Sequence, residues 1–249
     1  METIKELRIK CGEVDKNSGW REKVARWISI RITWTILFLF PKTMPNPITA
    51  LMIIIGIISA FFFMPGRYLY TLMGVVLYHL YLILDACDGE IARYKKVGKN
   101  YGTRGLYLDY LGHIIANPLI VMGLAIGAYM NNPTPLPKIL FLIIGFITVY
   151  SMVINNFMRL KKYEMYLNLG KLKEMEEMKI RNKSLDTKEN KFKKEFWEFF
   201  RILTFNSIFF FGILNLIPYL VLINGIIFPL QALKRFYYEL KTEPGPKKN

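Results

Sequence analysis

Four residues carry the chemistry most open to reading: Asp85, Asp88, Asp109 and His113, all set in or beside long apolar runs. An ionisable side chain in such a run is costly and is by default a functional candidate. Asp85 and Asp88 lie three apart, and Asp109 and His113 four apart, so on helices each pair shares one face. Two antiparallel helices joined by a short basic connection would bring all four together. Three converging carboxylates repel one another unless a cation neutralises them, and the apolar runs that carry them hold no basic residue to do so. A divalent ion is therefore expected. Oxygen ligands suit Mg²⁺, Mn²⁺ or Ca²⁺, and Mg²⁺ is commonly held by a few carboxylates together with substrate phosphates.

The neighbouring residues suit a flat, phosphorylated ligand. Gly89 follows Asp88, and Ala92 stands one helical turn on, so no bulky side chain crowds the acids. The same two residues would equally serve close helix packing. Arg93 offers a guanidinium to a phosphate, and the basic stretch from Lys95 to Arg104 would draw anions inward. His79, about two turns before Asp85, reads as a packed, hydrogen-bonded side chain. Cys11 and Cys87 are the only cysteines, which excludes a disulfide framework or a four-cysteine zinc site.

The elements that must position these residues are membrane helices. With 53% hydrophobic residues and a mean hydropathy of +0.24, the chain is too apolar for an ordinary soluble domain. Its net charge of +15 is gathered at the N-terminus, near 93–104, across 159–194 and at the C-terminus. That is loop charge of the positive-inside kind, and no nucleic-acid module accompanies it. The first 19 residues are polar, without the apolar core of a signal peptide. Trp20 to Phe40 begins amphipathic, as an interfacial helix does, and Pro41 breaks it.

Six spans follow at roughly 47–64, 68–92, 105–130, 136–160, 200–217 and 218–238, each near the roughly 20 helical residues that cross a bilayer core. The breaks at Pro65-Gly66, at 131–135 and from Asn215 to Pro218 carry almost no positive charge and should face outward. The basic connections, both termini and the acids should then face the cytoplasm. The predicted protein is all-α and polytopic. Residues 1–44 form a cytoplasmic N-terminus with its amphipathic helix, 45–240 a six-helix membrane domain, and 241–249 a cytoplasmic tail. A cytoplasmic loop of about 161–199, helical and solvated, lies inside that domain.

The string Asp85-Ala86-Cys87-Asp88-Gly89-Glu90-Ile91-Ala92-Arg93, followed by Gly105 and Asp109, resembles the signature of the CDP-alcohol phosphotransferases, DxxDGxxAR, a gap, then GxxxDxxxD. Pro45-Asn46-Pro47-Ile48-Thr49 is similar to the PNxxT segment that opens the family's first span. The resemblance implies that Asp85, Asp88 and Asp109 hold Mg²⁺ or Mn²⁺ against the donor's diphosphate. It implies that Gly89 and Ala92 admit the cytidine end and that Arg93 holds the CDP phosphates. Asn46 and Thr49 are helix caps with a secondary donor contact, Gly105 belongs to the second motif half, and Asn155, Asn156 and Arg159 could meet the acceptor.

Two features depart from the pattern. Eleven residues separate Arg93 from Gly105, more than the family's usual gap, and His113 stands where the family has its fourth aspartate, the base for the acceptor hydroxyl. Imidazole can take a proton near neutral pH but serves Mg²⁺ less well than carboxylate. The resemblance therefore implies transfer of a substituted phosphoryl group from a CDP-alcohol, such as CDP-diacylglycerol, to an acceptor alcohol, with release of CMP in phospholipid biosynthesis. His113, with Asp109, would be the catalytic group. Membrane lipids surround the spans, which permit a homodimer. The sequence also admits a member that binds CDP-lipid without turnover, or a prenyl-diphosphate transferase.

Overall fold

A computed structural model describes residues 3–11, 20–96, 104–132, 134–168 and 207–241. Their regular structure is all helix, without strands: α1 (Ile4–Lys10), α2 (Trp20–Leu39), α3 (Pro45–Phe63), α4 (Tyr68–Tyr94), α5 (Arg104–Met130), α6 (Ile139–Asn168), α7 (Ser207–Ile213) and α8 (Ile217–Lys241). Among the described residues five helices are long and apolar enough to span a membrane, over Pro45–Phe63, Tyr68–Tyr94, Tyr107–Met130, Ile139–Met158 and Ile217–Tyr237. These match five of the six expected spans. The other, 200–217, begins outside the described residues and is represented by α7. Most of the expected loop, from 169 onward, also lies outside them.

The chain divides into two compact units, Met1–Gly123 and Leu124–Asn249. In the first, α3 and α4 form a hairpin about Pro65-Gly66, where Gly66 takes a φ of 66° that disfavours other residues. Met52, Ala60 and Phe63 of α3 are buried with Val75, Tyr78 and Tyr81 of α4, and the Ser59 hydroxyl donates to the Gly74 carbonyl at 3.0 Å. The outward stripe of α3 is Leu51, Ile54, Ile58 and Phe61, all exposed. Exposed apolar side chains at helical spacing are what a lipid-facing surface requires.

Small residues let α5 approach α3. A Cβ on Gly112 would stand 2.7 Å from Ile53 Cγ1, and one on Gly56 would stand 2.9 Å from Ala116 Cβ. A Cβ on Gly123 would run into the backbone carbonyl oxygen of Ala60. Lipid offers no hydrophobic drive to associate helices, so such close van der Waals contact does the work. In the second unit α6 and α8 pack with Gly225 against the Ile144 side chain, and Arg235 donates to the Asn155 carbonyl at 3.2 Å. Asn215, at φ 56°, turns the chain between α7 and α8.

Gly123→Ala is expected to lower stability in detergent by about 1–3 kcal/mol, because the Ala60 backbone cannot move aside as a side chain can. A thermal-unfolding midpoint equal to that of the unaltered protein would contradict this contact.

Candidate functional site

The site is built on the facing stripes of α4 and α5. On α4, Tyr81, Asp85 and Asp88 recur at four and three residues, and on α5, Asp109, His113 and Asn117 recur at four, so each set occupies one face. His113 Nε2 lies 3.2 Å from Asp85 Oδ1 and 3.5 Å from Asp109 Oδ1. One ligand atom from each of Asp85, Asp109 and His113 falls within 4.8 Å of the other two. These side chains are about two-fifths exposed, so the cluster opens to a ligand while resting on a packed floor. Asp109 Oδ1 is buried and has no hydrogen-bond partner among the described residues. A buried carboxylate oxygen without a donor is a costly arrangement that a bound cation would relieve. The donor set, two carboxylates and an imidazole, fits a divalent ion.

The expected residues are distributed more finely than the motif suggests. Asp88 is not among the clustered three. It is buried, and its Oδ2 lies 2.7 Å from the hydroxyl of Thr49, which donates to it from the first turn of α3. Asn46, in that same turn, stands against Gly105, where a Cβ would come 3.3 Å from Asn46 Oδ1. The two motif halves and the PNxxT segment thus meet at one end of α3, α4 and α5.

Gly89 borders open space except for Arg93, whose Nη1 would be 3.4 Å from a Cβ placed there. Arg93 Nε donates to the Cys11 carbonyl at 2.6 Å, which holds the guanidinium over Gly89. Ala92 lies on the same helix and is half-buried. Arg159 lies on α6, and its side chain is outside the described residues. His79 is packed, its Nδ1 2.8 Å from the Val75 carbonyl.

Three contributors escaped the sequence reading. Glu90, inside the motif, is almost completely buried and accepts from Ser29 Oγ at 2.6 Å and Thr33 Oγ1 at 2.7 Å, with Arg26 Nη1 at 3.8 Å. It clamps α2 onto the motif-bearing end of α4. The signal was present as Ser29 and Thr33, four apart on the amphipathic helix. Tyr81 and Asn117 are the others. The Tyr81 hydroxyl is 2.8 Å from His113 Nδ1 and 3.1 Å from Asn117 Oδ1, and each lies one turn from a motif residue on the motif face.

This fold and this cluster define a polytopic membrane protein with a carboxylate and imidazole site of the kind that holds a divalent metal. The family model of the CDP-alcohol phosphatidyltransferases matches residues 42–230, and the chain belongs to that family. Its members transfer a phosphatidyl group from a CDP-alcohol to an acceptor alcohol and depend on a divalent metal. No curated protein matches the chain.

Replacing Glu90 by Ala removes the shared acceptor of Ser29 and Thr33. It is expected to cost about 1–3 kcal/mol through the buried hydroxyls left unsatisfied, measured as a lower unfolding midpoint. Glu90→Gln, which keeps an acceptor oxygen, should cost less. Equal stability of all three proteins would show that the clamp contributes nothing.

Proposed function

We propose that this chain is a metal-dependent CDP-alcohol phosphotransferase of the cytoplasmic membrane, acting in phospholipid biosynthesis with CDP-diacylglycerol or a similar CDP-lipid as donor. The observation that carries this reading is the convergence of Asp85, Asp109 and His113 within 4.8 Å, beside the open face of Gly89. Both termini and the site face the cytoplasm in this reading, because the basic connections flank the acidic end of α4 and α5.

Asp85 and Asp109 would hold Mg²⁺ or Mn²⁺ next to the His113 imidazole. Such an ion supplies neutralisation of charge on the donor's diphosphate. Asp88, held by Thr49, adds a fixed negative charge behind the cluster. Gly89 and Ala92 leave room for the cytidine end, and the free Nη atoms of the Arg93 guanidinium bind phosphate oxygens. Asn46 and Gly105 shape the donor side, and Arg159 serves the acceptor side. The acceptor oxygen forms a bond to the phosphorus that bears the donor alcohol, the bond from that phosphorus to CMP breaks, and the acceptor proton passes to His113 or Asp109. Holding nucleophile and leaving group in line is the main demand that such residues meet.

A second reading is a member that binds CDP-lipid without turnover, favoured by the imidazole in place of the fourth aspartate. The two readings separate in one assay, CMP release from CDP-diacylglycerol by purified protein across a panel of acceptor alcohols. Turnover with at least one acceptor is expected. Asp85→Asn and Asp109→Asn should each reduce it by about 100-fold or more, the scale of losing one charge-stabilising group, with the unfolding midpoint retained. CDP-lipid binding without CMP release from any acceptor would favour the second reading.

Gly89→Ala distinguishes a ligand surface from a packing surface. Only the movable Arg93 guanidinium adjoins the new methyl group, so folding should be unharmed, while KM for the donor rises about tenfold, as one added carbon in a fitted pocket can cause. Lost stability with an unchanged KM would assign Gly89 to helix packing.

A further inference from the structure

We propose that His113 binds the divalent ion through Nε2, that Tyr81 and Asn117 are the positioning residues that hold the ring for this, and that the nitrogen shifts the site's preference from Mg²⁺ toward Mn²⁺. The inference rests on the reading above that Asp85 and Asp109 hold a divalent ion.

The hydrogen-bond chain fixes which nitrogen is offered. Asn117 Oδ1 can only accept, so the Tyr81 hydroxyl, 3.1 Å away, spends its one proton there. Toward His113 Nδ1, at 2.8 Å, the same hydroxyl can then only accept. This is the tautomer we assign: with the proton of the neutral ring on Nδ1, Nε2 is the nitrogen with a lone pair. Orientation of a ligating imidazole by a partner on its other nitrogen is the general way such ligands are held.

Nε2 points where the carboxylates converge, at 3.2 Å from Asp85 Oδ1 and 3.5 Å from Asp109 Oδ1. Neighbouring donors on one ion with bonds of about 2.1 Å stand roughly 3.0–3.4 Å apart; the Asp85 spacing lies in that range and the Asp109 spacing just beyond it. Asp109 Oδ1, buried without a hydrogen-bond partner among the described residues, is the oxygen on this face.

Tyr81 cannot easily turn away. It is fully buried, its ring meets the His113 ring edge-on at 88°, and it fills the space that Gly56 leaves on α3, where a Cβ would come 2.9 Å from Tyr81 Cδ2. Imidazole favours the later divalent ions of the first transition row over Mg²⁺, which prefers oxygen. With Nε2 on the ion, the acceptor's proton falls to the carboxylate of Asp109.

The test is direct ion binding by the purified full chain in detergent, with Mn²⁺ followed by paramagnetic resonance and Mg²⁺ as competitor. His113→Asp, or His113→Asn should the first fold poorly, is expected to lower the ratio of Mn²⁺ to Mg²⁺ affinity by about tenfold or more. Tyr81→Phe should weaken Mn²⁺ binding about tenfold, as loss of a ligand's orienting partner does, and should have no effect once His113 is replaced. In protein labelled with ¹⁵N-histidine, Cd²⁺ should shift Nε2 of His113 and leave Nδ1 protonated. An unchanged affinity ratio, equal effects of Tyr81→Phe in both backgrounds, or a Cd²⁺ shift at neither ring nitrogen would overturn the inference. Mn²⁺ binding that is absent, or that survives Asp109→Asn unaltered, would overturn it together with the reading of the site on which it rests.

Discussion

An apolar helix bundle can keep a carboxylate only by giving it a partner, and the arrangement at the end of α4 and α5 follows from that constraint. Four acids fall within 25 residues of sequence from Asp85 to Asp109, and they meet three different solutions. Glu90 takes two hydroxyls and a nearby guanidinium from α2. Asp88 takes the hydroxyl of Thr49 from α3. Asp85 and Asp109 are left facing His113, in the one part of the group that stays open. Glu90 and Asp88 tie the first three long helices together, and Asp85 and Asp109 share an imidazole at the open surface. Residues that look alike in the motif thus have different partners.

The packing that brings these stripes together depends on what the helices lack. Gly56, Gly112 and Gly123 remove side chains where α3, α4 and α5 approach, and Gly105 does the same beside Asn46. Gly89 belongs to a different class, since its missing side chain opens space rather than closing a contact. The N-terminal segment also takes part: Cys11 receives Arg93 through its carbonyl, and α2 covers Glu90. The helix α2 is therefore a support for the site.

Much of this was legible in the sequence because membranes simplify the code. Length and hydropathy marked the helices, and Pro65-Gly66 and Asn215 marked turns that the backbone makes with positive φ. The spacing of Asp85, Asp88, Asp109 and His113 placed four polar groups on two faces before any coordinates were needed. The sorting of those groups was not legible. Helical spacing shows that Asp85 and Asp88 share a face, but not that a hydroxyl on a third helix claims one of them. Glu90 passed unnoticed inside the motif because its partners lie about 60 residues away, at Ser29 and Thr33. Nothing in the sequence sets Tyr81 apart from the other aromatics of its span, since only tertiary contacts give its hydroxyl its partners, His113 and Asn117.

The central claim, that a divalent ion held by this cluster enables transfer from a CDP-alcohol, is tested most directly by following CMP formation through chelation and metal return in one purified sample. CMP formation should cease when EDTA removes the ion and resume on adding Mn²⁺ in excess of the chelator. Formation that continues unchanged in EDTA would contradict the account.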